Sequence, residues 1–264
     1  MKKKEKKKEK RALNVTVYLV LRFLVIVCMV AQSMNGNWMN VFLCIFTLIL
    51  FTVPTIISKK LHVKLPTTLE IIVYLFIFAA EILGEIQNFY GVFVHWDSML
   101  HTLNGFLCAA VGFSLIDILN REEKFHIKMT PVFVALVSFC FSMTIGVLWE
   151  FYEFAADYYF GMDMQKDTIV EKISSKKLGD KWGNEKIVID QINKTVIYSN
   201  NNTKAYTIES GYLDIGIIDT MEDLFVNFIG AVVFSILGFL YIRDRDGNKY
   251  LERFIPILKK LEEN

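Results

Sequence analysis

The sequence predicts an all-α fold: a polytopic transmembrane helical bundle of about six spans, with a small, strand-forming extracytoplasmic insertion. Three observations carry this reading: about half of the chain is apolar, the apolar residues collect into runs of spanning length, and Lys and Arg gather at alternate ends of those runs. Of 264 residues, 53 % are hydrophobic and 14 % aromatic, more than a soluble domain of this length hides inside itself. The runs are continuous and lack the two-residue alternation of lipid-facing strands, which argues against a transmembrane barrel.

A bilayer core takes about 20 apolar helical residues. Six stretches reach that length: 12–32, 38–57, 68–88, 97–119, 130–156 and 215–242. The first follows a lysine-rich start and lacks a small-x-small cleavage site, so it reads as a retained span and not as a secretory signal. Basic residues then set the orientation. With the N-terminus inside, the cytoplasmic segments hold eight, three, three and six Lys and Arg, while the short outer loops 33–37 and 88–96 hold none. The long connection between the last two spans holds eight lysines, but long polar segments count little in this rule.

The organisation that follows is a basic cytoplasmic N-terminus (1–11), five spans within 12–157, an extracytoplasmic segment (158–214), a sixth span (215–242) and a cytoplasmic amphipathic tail (243–264). The expected location is the plasma (inner) membrane, multi-pass, with both termini cytoplasmic. The partner implied is the lipid bilayer, and the net charge of +1, with its basic residues at span ends, points away from nucleic acid. Cys28, Cys44, Cys108 and Cys140 all fall in apolar runs and form no disulfide framework. Within 158–214, EKIVIDQINKTVIYSNNNTKAYTIESG alternates apolar and polar residues around Asn-rich turns, the pattern of a small antiparallel meander or of a solvated spacer.

Ionisable residues inside spans are costly and default to function, and four spans here carry polar stripes. Glu81 and Glu85 fall four apart at the end of the third span, and Asp97 and His101 open the fourth with Asn104 nearby. Glu150, Glu153 and Asp157 close the fifth, and Asp219, Asp223 and Asn227 open the sixth. The alternation of span directions places all four stripes in the outer half of the bundle. With about 1.5 Å of rise per residue, Asp219, Asp223 and Asn227 lie about 6, 12 and 18 Å below the start of their span. The result is an expected polar cleft open to the outside.

Carboxylates with His101 and His95 form an oxygen and imidazole inventory suited to a divalent metal cation. The one arginine inside a span, Arg22, has Glu81 or Asp117 as its expected partner. Against a site, Asp97 and Asp219 can simply complement helix dipoles, Asn104 and Asn227 can serve as interhelical glue, and Gly105 and Gly230 as close-packing positions. Trp38, Trp96 and Trp149 fit an interfacial belt. Gln165, in MQKD, sits where the chain can fold back over the cleft or form a solvated loop.

WDSMLHTLNG, GVLWEFYEF with MQKD, and DTMEDLFVNFIG together resemble the YjdF-like family of bacterial inner-membrane proteins, over roughly residues 38–242. More distantly, D-x-x-x-H, Glu with a later Gln, and D-x-x-x-N-x-x-G are similar to VanZ-type membrane proteins. That resemblance implies roles for Asp97, His101, Glu150 or Glu153, Gln165, Asp223, Asn227 and Gly230, from which the inserted segment and the longer Glu-to-Gln spacing depart.

Three functions stay open. The first is a metal-dependent site binding or hydrolysing an envelope lipid or cell-wall precursor, with Asp97, His101, Asp219 and Asp223 as ligands and Glu150 or Glu153 as general base. The second is cation or proton transport, and the third a non-catalytic membrane scaffold. The sequence has no P-loop, G-x-S-x-G or H-E-x-x-H motif.

Overall fold

The computed structural model describes residues 2–60, 63–121, 129–180, 182–244, 254–255 and 257–258. Its helices are α1 (Lys2–Met34), α2 (Trp38–Leu50), α3 (Val53–Lys60), α4 (Thr67–Phe78), α5 (Phe89–Val92), α6 (Trp96–Arg121), α7 (Pro131–Phe160) and α8 (Ile217–Arg243). Five stretches are long and apolar enough to cross a bilayer: Ala12–Met34, Trp38–Lys60, Trp96–Asp117, Pro131–Phe160 and Ile217–Arg243. Outside the helices and one π-helical stretch, the described residues form loops and short strands, with no closed barrel.

The expected third span, 68–88, is helical but not one helix. α4 passes at Ala79 into a π-helical turn, Ala79–Ile86. The Gln87 N–H bonds the Ile82 carbonyl five residues back, the signature of an extra residue in the ladder. Gly84 in this turn faces the Tyr90 ring so closely that a Cβ would overlap it. Divided in this way, neither part reaches spanning length alone, so five stretches qualify where six were expected.

The chain forms two compact units, 1–147 with 224–264, and 148–223. In the first, α1 ends at Gly36 (φ +72°), whose N–H bonds Ser33 while that of Asn37 bonds Gln32. This is a Schellman stop, which calls for a left-handed residue. α1, α2 and α4 then bury Leu21, Val25, Cys44, Phe51, Tyr74 and Ile77, around the mutually packed rings of Tyr18, Phe51 and Tyr74. The Asn14 side chain donates to Glu70, tying α1 to α4.

α6, α7 and α8 meet differently, through small residues. A Cβ on Gly105 would strike the backbone oxygen of Asn227, and one on Gly230 that of Thr102. Such close approach exposes carbonyls to the neighbouring helix, and serines use them. Ser142 donates to the Gly105 carbonyl and Ser138 to that of Ala109, each at 2.7 Å. Below this seam Phe113, Val134, Phe234 and Tyr241 form a second apolar core.

The expected amphipathic tail, 243–264, lies largely outside the described residues. Where it is described, Ile255 is buried against the second core, and β8 (Ile257–Leu258) pairs antiparallel with β1 (Val63–Lys64).

The second unit holds the end of α7, the insertion and the first turns of α8. Its strands form three separate antiparallel pairs: β2 (Ile169–Val170) with β7 (Tyr212–Leu213), β3 (Ile173–Ser175) with β4 (Ile187–Ile189), and β5 (Lys194–Ser199) with β6 (Lys204–Glu209). The Asn200, Asn201 and Asn202 turn has positive φ throughout, a conformation Asn tolerates. Of the two expectations there, a meander or a solvated spacer, neither describes the strands fully: β2–β7 encloses two successive pairs, and Ile187–Ile189 finds its partner upstream at Ile173–Ser175 and not in the hairpin that follows.

Candidate carboxylate centre and its comparisons

The insertion leaves α7 and returns to α8 through a neck stitched by carboxylates. Asp157, near the end of α7, accepts the Met164 and Gln165 N–H groups at 2.6 and 2.8 Å. Asp219 accepts that of Lys166 at 2.8 Å. Asp214 accepts the N–H groups of Thr168 and Ile218 at 2.7 Å each and of Gly216 at 3.2 Å, so one side chain caps the first turn of α8 and ties it to the residue that leads into β2. The Gln165 amide donates to the Thr220 hydroxyl. MQKD thus folds back onto the ends of α7 and α8.

Acid is concentrated enough at the neck to affect titration. The Asp167 carboxyl is pushed above its ordinary value, first by partial burial and then by Asp163, Asp214 and Asp157, with Lys166 opposing. Farther out, Asp190 is held below its ordinary value by the hydrogen bond from Lys172 and the Gln191 N–H.

Deeper in the same unit, Glu150 and Glu153 of α7 and Asp223 of α8 bring one carboxylate oxygen each within 4.8 Å of the others. All three are buried, at 4, 7 and 3 % exposure. Spacing explains the pairing on α7, where residues three apart share a face. Glu153 accepts the Trp149 indole N–H at 2.8 Å, a role the interfacial-belt reading of Trp149 missed. Asp219 offers an oxygen within 4.8 Å of Asp223 while its own Oδ2 serves Lys166. Three buried carboxylates this close repel unless a cation or shared protons intervene. Their hard oxygens suit a divalent metal.

Of the other residues singled out in the sequence, Asp97, His101, Asn227, Arg22, Glu81 and Glu85 belong to the first unit. In the first unit, buried His101 places Nε2 3.5 Å from Asp97 Oδ1, one helical turn away on α6. Asn227, 1 % exposed, accepts from the Asn104 amide at 3.4 Å and donates to the Met143 sulfur at 3.6 Å. Arg22, whose expected partner is Glu81 or Asp117, donates from its guanidinium to the Tyr18 hydroxyl at 2.7 Å and lies over that ring, because the i−4 neighbour on its own helix is within easiest reach. Glu81 is half-buried and Glu85 exposed, both in the π turn. Asp214 and Thr220 are the neck residues not singled out from sequence. Asp214 carried a signal, an Asp just before a helix start.

A family model described as "Predicted membrane protein (DUF2238)" matches residues 13–244. The chain belongs to the DUF2238 family. The match takes in α6, α7 and α8 with all three carboxylates of the centre, and the YjdF-like resemblance is consistent with it. An uncharacterized protein of Thermotoga maritima is 26 % identical to this DUF2238 chain over 104 residues, 39 % of the chain and 52 % of the relative. The chain therefore spans about half the length of the curated relative it matches. No solved structure matches it. DUF2238 membership brings membrane residence and no reaction, so the chemistry must come from the side chains.

Proposed function

We propose that this DUF2238 protein is a multi-pass protein of the plasma (inner) membrane, both termini cytoplasmic, whose carboxylate centre binds a divalent cation and acts on an envelope lipid or cell-wall precursor. The observation that carries the reading is the convergence of Glu150, Glu153 and Asp223, all buried, within 4.8 Å. A cation there would neutralise the group and supply Lewis acidity toward a phosphate or carbonyl oxygen. A carboxylate left uncoordinated is placed to move a proton. The outward orientation rests on the Lys and Arg distribution, and the VanZ-type motif likeness is in keeping with a polar centre that includes Asp223 and Glu150 or Glu153, without supplying a reaction.

The test is metal content and divalent-cation affinity of the detergent-purified full chain, for wild type, Glu153→Gln, Asp223→Asn and His101→Ala. Stoichiometric metal in wild type, lost in the first two variants, is the expected result. Loss in His101→Ala as well would extend the donor set to the imidazole, as the sequence stripes suggest. No metal in wild type, with all four proteins folded, would remove the cation reading.

A second reading, proton or cation exchange, draws on the π turn. Half-buried Glu81 lies in a helical distortion of a kind that recurs at functional sites. Ion flux into proteoliposomes, unchanged by Glu81→Gln, would count against it.

A further inference from the structure

Away from the carboxylate centre, the β3–β4 pair of the second unit carries a basic tip. Residues 176–186, which join the two strands, hold four lysines against two carboxylates. The joining loop is tightly built. The Gly179 N–H bonds the Lys176 carbonyl at 3.2 Å and the Gly183 N–H that of Asp180 at 3.0 Å, which closes two successive turns. Gly179 backs onto the Glu185 carbonyl so closely that a Cβ would overlap it. Asp180 accepts the Asn184 and Glu185 N–H groups at 2.8 and 3.2 Å, so this carboxylate serves its own backbone.

On this fixed loop stand two apolar side chains, Leu178 at 53 % exposure and Trp182 at 80 %. Single exposed apolar residues are ordinary, but these two share one tip with uncompensated charge. Elsewhere in the unit Lys166, Lys172 and Lys194 pair with Asp163, Asp190 and Glu209. Lys176, Lys177 and Lys186 are exposed and form no ion pair among the described residues. An indole and a leucine among free ammonium groups match the surface of an anionic bilayer, where the ring sits at headgroup level and the lysines meet phosphates.

We propose that this tip docks on the anionic surface of the bilayer that holds the chain, with Leu178 and Trp182 entering the headgroup layer. The insertion is joined at both ends to helices long and apolar enough to cross a membrane, α7 and α8. Its own bilayer is therefore offered at high effective concentration. A loop already fixed by its turns loses little freedom on docking. The carboxylate centre has no part in this contact, which would persist if no metal binds there.

Quenching of Trp182 by lipids brominated on their acyl chains tests the proposal, with the full chain in nanodiscs of mixed phosphatidylglycerol and phosphatidylcholine or of phosphatidylcholine alone. Subtracting the Trp182→Phe emission separates this indole from Trp38, Trp96 and Trp149. Wild-type Trp182 is expected to be quenched in the anionic discs, with the quenching relieved at about 1 M salt. Lys176→Gln combined with Lys177→Gln should weaken docking about thirtyfold, the effect of two ammonium groups at an anionic surface. Leu178→Ser should also reduce the quenching. All these positions are exposed, and melting curves check that the variants fold. No quenching of Trp182 in anionic discs, equal quenching in both kinds of disc, or quenching unchanged in the double lysine variant would each overturn it. Shielding of Trp182 from aqueous acrylamide that grows with chain concentration in detergent would assign the tip to a second copy, and would overturn it too.

Discussion

Asp223 and Asn227 stand one turn apart on α8, and their surroundings follow opposite rules. Asn227 meets complementary groups, the Asn104 amide and the Met143 sulfur, where glycines at 105 and 230 let the helices touch. Asp223 meets its own kind, Glu150 and Glu153. The first arrangement stabilises the fold as it stands. The second sets like charges together, which repel unless a cation or shared protons intervene, and this contrast separates a packing seam from a candidate site more sharply than burial does, since Asn227, Asp223, Glu150 and Glu153 are all buried.

The contrast can be broken at several points. Gly105→Leu has the largest expected effect, because its side chain would occupy the place of the Asn227 carbonyl. A loss of about 3 kcal/mol or more, read as collapse of the monodisperse peak in size-exclusion chromatography, is the expectation. Asp223→Asn should do the reverse: in chelator it relieves repulsion and raises stability by about 1 to 3 kcal/mol, while removing any stabilisation by added divalent cation. Lower thermal stability in chelator would place Asp223 with the seam instead.

At the neck, carboxylates work as backbone caps. Asp214→Asn should cost about 1 to 2 kcal/mol, with faster hydrogen exchange at the Thr168 and Ile218 amides that Asp214 now holds. The smallest effects are two opposite pH dependences. Asp190 is held below its ordinary value, so its contribution is present at neutral pH and lost as pH falls through its folded pKa. Asp190→Asn should therefore be slightly destabilising at pH 7 and neutral in strong acid. Asp167 is raised, so its favourable contribution is full in acid and lost as pH rises through its folded value. Asp167→Asn should slightly stabilise at pH 7, with the gain vanishing near pH 3 and below. Melting curves across pH for the two variants, sloping in opposite directions, are the check.

How far the sequence could be read follows from which interactions are local. Spans were legible because a continuous apolar run states its own length, and the close-packing glycines because small residues between apolar helices have few other uses. The π turn was not, since AEILGEI reads as an ordinary amphipathic turn, and its marks, the Gln87–Ile82 bond and the Tyr90 ring against Gly84, exist only in the folded chain. The Asn-rich hairpin was legible from its turn. The upstream partner of Ile187–Ile189 was not, because strand pairing at a distance leaves no local mark. Helix phase grouped Asp157 with Glu150 and Glu153, yet at the end of α7 its carboxylate is taken by two loop amides. Phase gives the side of a helix and says nothing of what competes for a side chain there.

The pairing of Ile169 with Leu213 and of Val170 with Tyr212 has an evolutionary corollary. Because the chain departs and comes back at adjacent points, everything from Glu171 to Gly211 is a cassette. It can be shortened, enlarged or exchanged with another loop while the spacing of its two attachment points stays fixed. Variation across the family is then expected to concentrate in that cassette, with the helices on either side free to keep their register.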